Sequence, residues 1–212
     1  MNSDLIDNLV DDLRPTRRGA LRWLLVGALA VGVILAAILM VPSIGLRPDI
    51  VNALANATFW IKLGYTVVLA LLGLIAAIAL ARPDTGKWPG LWAVGGVFLI
   101  TLAGGLLQWA SAPEAAKPIL MFGATALICP ILIIAFSAPV MAITMAAMRR
   151  MAPANPTLAG LAAGLASGGA GAAVYSLHCG EVGLLFLALW YSVGVGAVAL
   201  SGALIGRVVL RW

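Results

Sequence analysis

Residues 20–41 read ALRWLLVGALAVGVILAAILMV, and beyond Arg22 the stretch carries no charged side chain. A hydrocarbon core roughly 30 Å thick takes about 20 apolar residues as a helix. Lipid offers no hydrogen bonds, so each N–H and C=O in such a stretch must be satisfied within its own segment, and the stretch reads as a spanning α-helix. A cleavable signal is a poorer reading: its apolar core would be only about 7–15 residues long, and this longer run follows Arg17, Arg18 and Arg22.

Outward from this run, five more apolar stretches follow at residues 60–81, 91–109, 124–148, 157–175 and 184–206. The composition agrees, with 63% hydrophobic and 10% charged residues across 212 positions. Such a balance belongs to polytopic membrane proteins and not to soluble domains. The predicted fold is therefore all-α: six transmembrane helices behind a short amphipathic helix. Residues 1–19 form one unit and residues 20–212 the other.

An even number of spans leaves both termini on one side, and the cations choose it. Arg14, Arg17, Arg18, Arg22, Arg82, Lys87, Arg149, Arg150, Arg207 and Arg211 fall on the terminal side, against Arg47, Lys62 and Lys117 opposite. Both termini are expected in the cytoplasm, with the chain in a bacterial inner membrane. The net charge of +5 is then a topology signal, and direct nucleic-acid binding is not expected. The inner loops ARPDTGKWPG and RRMAPANP are short and rich in Pro and Gly, which predicts that the helices they join are antiparallel neighbours.

In front of the first span stands MNSDLIDNLVDDLR. At 3.6 residues per turn, Leu5, Ile6, Leu9, Val10 and Leu13 share one stripe, and Asp4, Asp7, Asp11 and Asp12 crowd the opposite side. Pro15 stops the helix. An interfacial anchor on anionic lipid would want Lys and Arg here, not four aspartates. A basic protein partner fits better.

The spans say what the chain does not do. None has Asp, Glu, Lys or Arg in its middle, where ion and proton pathways need them. One histidine, His178, cannot ligate haem twice or build a multi-histidine metal centre. No phosphate loop, GxSxG elbow or HExxH pair occurs. Transport and catalysis are both disfavoured. Gly160, Gly164 and Gly168 recur at four-residue intervals, and Gly202 and Gly206 answer them in the last span. Such stripes let helix backbones approach, either inside the bundle or across a homodimer.

Cys129, in ALICPILI, and Cys179, in YSLHCGE, are the only cysteines. Counting back from Arg149 and Arg150 puts Cys129 near the outer end of the fourth span. Cys179 falls in the outer loop before the sixth. Both thiols are expected at the same depth on the same side, where they could pair in an oxidising compartment. With His178, and with Glu181 nearby, they could also offer a soft metal ion a transient mixed site. No resident cofactor is expected. Pro130 is expected to weaken the helix ladder beside Cys129. A small membrane thiol redox enzyme is the competing reading, but the chain has no CxxC.

The order LIDNLVDDLRPTRR, FWIKLGY (59–65), Cys129–Pro130, LHCGE (177–181) and WYSVG (190–194) resembles, over essentially the whole chain, the NrsF-type membrane anti-sigma factors. These are six-helix inner-membrane proteins that hold extracytoplasmic-function sigma factors at the cytoplasmic face. One departure is Gly180, where a proline often follows the second cysteine. The resemblance implies that Asp4, Leu5, Ile6, Asp7, Leu9, Val10, Asp11, Asp12 and Leu13 contribute to sigma binding. It also implies that Cys129 and Cys179 take part in sensing an external stress such as a heavy metal or an oxidant. Residues 20–212 would then be a sensor domain, with a sigma factor and membrane lipid as partners.

Overall fold

The structure is a computed structural model that describes residues 19–82 and 90–211. Every regular element among them is helical. The spanning helices are α1 (Ala20–Ser43), α3 (Ala57–Leu80), α4 (Leu91–Ser111), α6 (Ile128–Met148), α7 (Pro156–Ser176) and α8 (Leu184–Val209). All six are long and apolar enough to cross a membrane, and the chain is a multi-pass membrane protein. Short elements lie between them: α2 (Ile50–Leu54), one 3-10 turn (Glu114–Ala116) and α5 (Lys117–Phe122).

Local chemistry sets the ends. Asn56 accepts a hydrogen bond from the Thr58 N–H at 3.0 Å and so caps α3. Asn155 does the same for Leu158 at 3.0 Å in front of Pro156, the first residue of α7. These are the side chain that satisfies orphan amides and the residue that has none to satisfy. Buried hydroxyls bond back to their own helix, as Ser137 does to the Ile133 carbonyl at 2.7 Å and Thr144 to that of Val140 at 2.8 Å.

The hub is α7, which is buried on nearly all sides and packs against α8, α3, α6 and α1. Small residues make this position available. A Cβ at Gly160 would strike the backbone of Gly202 and Gly206, one at Gly164 that of Val198 and Ala199, and one at Gly169 that of Thr66 and Ala70. The glycine stripes seen in the sequence therefore meet each other within one chain, and this face is not free to form a homodimer. Close backbone approach of this kind is how helices associate where lipid competes equally for apolar side chains.

Loop length misleads in one place. Across residues 149–155, α6 and α7 are indeed neighbours. By contrast, α3 and α4 touch only lightly, and α4 stands at the edge, held mainly by the start of α8. The Gln108 side chain accepts from the Leu184 N–H at 2.8 Å, and Gly105 lies against the Leu185 backbone. The rest of α4 faces outward, with Trp92, Ile100 and Leu107 exposed, as expected when lipid is the solvent. Likewise α1 pairs with α6, far away in sequence, where Gly32 meets the Val140 backbone.

Two clusters divide the core along the bundle axis. Leu25, Leu80, Met148, Ala159 and Leu210 fill the terminal end. Cys129, Ile133, Tyr175, Cys179, Phe186 and Tyr191 fill the other.

Candidate functional site

The site lies where α6 begins and where α7 hands over to α8. The fourth span starts later than the sequence predicts: residues 124–127 are turn, and α6 opens at Ile128. Cys129 and Pro130 are then the second and third helical residues. A proline there removes an N–H that has no intrahelical partner anyway, so Pro130 does not break the ladder as expected.

Cys129 is 0% exposed and Cys179 3%. The structure brings the two thiols into one buried cluster at one end of the bundle, where they remain unbridged. Tyr175 borders both. Its ring lies 5.9 Å from that of Tyr191, which is fully buried. Tyr191 stands beside Cys179. A π-helical turn at Leu187–Tyr191 sets this ring into the site. The next residue, Ser192, meets the Tyr65 hydroxyl at 2.6 Å. Single π turns of this kind are frequent at functional sites.

The residue that sequence reading missed is Lys62. It was counted there as one of three outer cations, but it is 3% exposed and inside the cluster. Its ammonium donates to the Cys179 carbonyl at 2.6 Å and to the Glu181 carbonyl at 3.1 Å, and lies 6.0 Å from the centre of the Tyr191 ring. The available signal was its place, the third residue of the predicted span at 60–81, since an ionisable group at that depth calls for a partner.

Around Cys179 the connecting loop 177–183 is tied on every side. The Arg47 N–H donates to the Leu177 carbonyl at 3.2 Å, and Arg47 Nη1 reaches the Cys179 carbonyl at 3.5 Å. Asp49 holds the guanidinium through contacts of 2.7 and 2.6 Å, and its own carboxylate is lowered by that bond. The Glu181 carboxylate accepts from the Ala124 N–H at 2.8 Å and from the Thr125 hydroxyl at 3.0 Å. Gly123, at φ +55°, lies against that carboxylate, where a side chain would collide with it. A polar cavity of about 110 Å³, lined in part by Arg47, Asp49, Asn56, Lys62 and Glu181, opens beside this loop.

The metal set expected from the sequence is only partly assembled. His178 Nδ1 is engaged with the Gly45 carbonyl at 3.0 Å, and Glu181 is turned to residues 124 and 125. Among the described residues no three His, Cys, Asp or Glu side chains converge on one point. What converges is the thiol pair.

The Cys179 thiol is drawn below the ordinary thiol range. The chief cause is the hydrogen bond from the Cys129 thiol, which the nearby Lys62 charge reinforces, while burial opposes both. The thiolate is the reactive form towards electrophiles and soft cations. The nine residues assigned to partner binding, Asp4 to Leu13, lie outside the described residues.

A six-span membrane bundle with a buried thiol pair at one end, and the start of α1 and the end of α8 at the other, has the layout of a membrane-bound regulator. The chain belongs to the family described as "Negative regulator of sigma F", which matches residues 9–212. It is 39% identical over 212 residues to the "Anti-sigma-F factor NrsF" of Caulobacter vibrioides (strain NA1000 / CB15N), covering 99% of this chain and 98% of that one. It is 36% identical over 187 residues to the "Probable anti-sigma-F factor NrsF" of Azospira oryzae (strain ATCC BAA-33 / DSM 13638 / PS), covering 84% and 83% respectively. No solved structure matches it.

Proposed function

We propose that the chain is an inner-membrane anti-sigma factor. It holds an extracytoplasmic-function sigma factor through residues 4–13 on the cytoplasmic side and releases it when an oxidant or a soft metal ion acts on Cys129 and Cys179 on the other side. The family supports the regulatory half of this reading, with relatives named for sigma F. The observation that carries the sensing half is that the two cysteines of the chain, 50 residues apart in sequence, meet in one buried cluster beside Lys62.

In this mechanism Leu5, Ile6, Leu9, Val10 and Leu13 enter an apolar groove on the sigma factor, while Asp4, Asp7, Asp11 and Asp12 meet its basic residues. The bound sigma factor is kept from polymerase. Chemistry at the thiols shifts the bundle between two states that differ in affinity for sigma. A change of about 2.7 kcal/mol releases it a hundredfold.

Two measurements test the halves separately. The double change Leu9→Asp and Val10→Asp should raise sigma-dependent transcription in unstressed cells; unchanged repression means that the binding helix is misassigned. Cys129→Ser with Cys179→Ser should abolish induction by oxidant and metal while leaving basal repression in place. Intact induction in that strain removes the sensing role.

A further inference from the structure

We propose that Arg47 and His178 are positioning residues that fasten the cysteine loop to the end of α1, so that movement between the two thiol-bearing elements is delivered to α1 and to the segment it carries. This rests on the sensing reading above and supplies the route that reading lacks.

The contacts on α1 carry the argument. At its end, the Ile44 and Gly45 N–H groups both return to the Met40 carbonyl, at 3.0 and 3.3 Å, with Gly45 at φ +74°. Gly45 is thus part of the helix terminus in hydrogen-bonding terms, and its carbonyl is the one that His178 Nδ1 engages at 3.0 Å. Two residues on, Arg47 holds the Leu177 carbonyl with its backbone and the Cys179 carbonyl with its side chain. Asp49 fixes that side chain, which is 11% exposed. The loop bearing Cys179 therefore grips α1 at its end.

The helix bearing Cys129 grips it at the middle. Gly32 lies so close to Val140 of α6 that a Cβ there would strike the Val140 backbone, and α6 is the chief neighbour of α1. One thiol-bearing element holds the end of α1, and the other holds its waist. Any change in the distance between Cys129 and Cys179 must tilt or slide α1 unless one grip gives way. Two packed elements with discrete grips are the physical requirement for such coupling; closeness in space alone is not. The far end of α1 carries Trp23, 65% exposed with the Arg22 guanidinium 5.4 Å from its ring centre, and the chain before it leads to residues 4–13.

The test uses the full-length protein in lipid nanodiscs, labelled with 5-fluorotryptophan, with the Trp23 fluorine resonance assigned by Trp23→Phe. Diamide takes two electrons and two protons from the thiol pair, leaving the Cys129–Cys179 disulfide and a hydrazine. Bridging is read by loss of maleimide labelling. The wild-type Trp23 resonance is expected to shift on bridging. In the double variant Arg47→Met and His178→Ala, bridging should persist while the shift falls to about a tenth of its wild-type size. Arg47→Lys, which keeps a cation for the Cys179 carbonyl, should retain most of it. Should the double variant not survive purification, His178→Ala alone decides, with an expected loss of about half the shift or more.

A bridged wild-type protein whose Trp23 signal stays still overturns the proposal, as does a double variant that keeps the full shift. So does one that no longer forms the disulfide, because its residues would then act on the thiols and not on α1. Induction in the double-serine strain judges the sensing reading independently.

Discussion

The ammonium of Lys62 donates to the carbonyl of Cys179 at 2.6 Å from within a spanning helix, 117 residues away in sequence. This bond and its companion to the Glu181 carbonyl place the lysine head group beside a thiol pair in a site almost closed to solvent. Buried charges are costly without compensating hydrogen bonds, and here two carbonyls supply them.

Lys62→Met keeps length and loses the charge. It takes the Lys62 donor from two carbonyls and leaves that of Cys179 only the Arg47 contact at 3.5 Å, for which a cost of about 1–3 kcal/mol is expected. The midpoint of thermal unfolding in detergent should fall accordingly. The same variant should make Cys179 less reactive near neutral pH, since a nearby positive charge favours the thiolate.

The rate of Cys179 modification by a small methanethiosulfonate should depend on pH with a midpoint below the ordinary thiol value of about 8.5. The rate falls as pH drops through that midpoint, because only the thiolate attacks. In Cys129→Ala, which removes the principal hydrogen bond, the midpoint should move up towards the ordinary value. The sign for stability follows: the folded-state value lies below the unfolded one, so the contribution is fully present above the unfolded value and is lost as pH falls through the folded one.

Glu181→Gln replaces a carboxylate that holds the Ala124 N–H and the Thr125 hydroxyl with a weaker acceptor. Charge-assisted bonds are roughly twice as strong as neutral ones. The loop 177–183 should open more often, and labelling of Cys179 at fixed pH should accelerate by about tenfold for a loss of about 1.4 kcal/mol.

Gly160→Val should destabilise the bundle by about 1–3 kcal/mol or more, because the added carbons have only the Gly202 and Gly206 backbone to enter. Gly95→Ala, on the exposed side of α4 with open space around it, should leave the unfolding midpoint unchanged. The contrast separates a packing requirement from a general intolerance of substitution at glycine.

Much of the architecture was legible because a bilayer imposes length and apolarity on each helix separately. The first run, read as 20–41, is Ala20–Ser43 in the structure, and the last, read as 184–206, is Leu184–Val209. The misplaced start of α6 has a clear reason. Residues 124–127 are as apolar as the helix they precede, but Gly123 at positive φ and the Glu181 clamp hold them as turn.

Partners, unlike spans, are pairwise properties. Short loops pointed to α3 and α4 as close neighbours, yet glycines at Gly73 and Gly169 draw α3 to α7 instead. His178 looked like a third metal ligand because it adjoins Cys179, while the fold turns it to Gly45. Lys62 was counted for topology and lies in the site.

Residue chemistry along the chain was enough to determine six helices and the opposite ends at which the first span begins and the cysteines fall, since hydropathy acts locally. Only the tertiary structure decided that the thiols share one buried cluster, that Lys62 lies beside it, and that α1 is gripped by both thiol-bearing elements. Those facts depend on which small residues let which backbones approach, and no single segment contains that information.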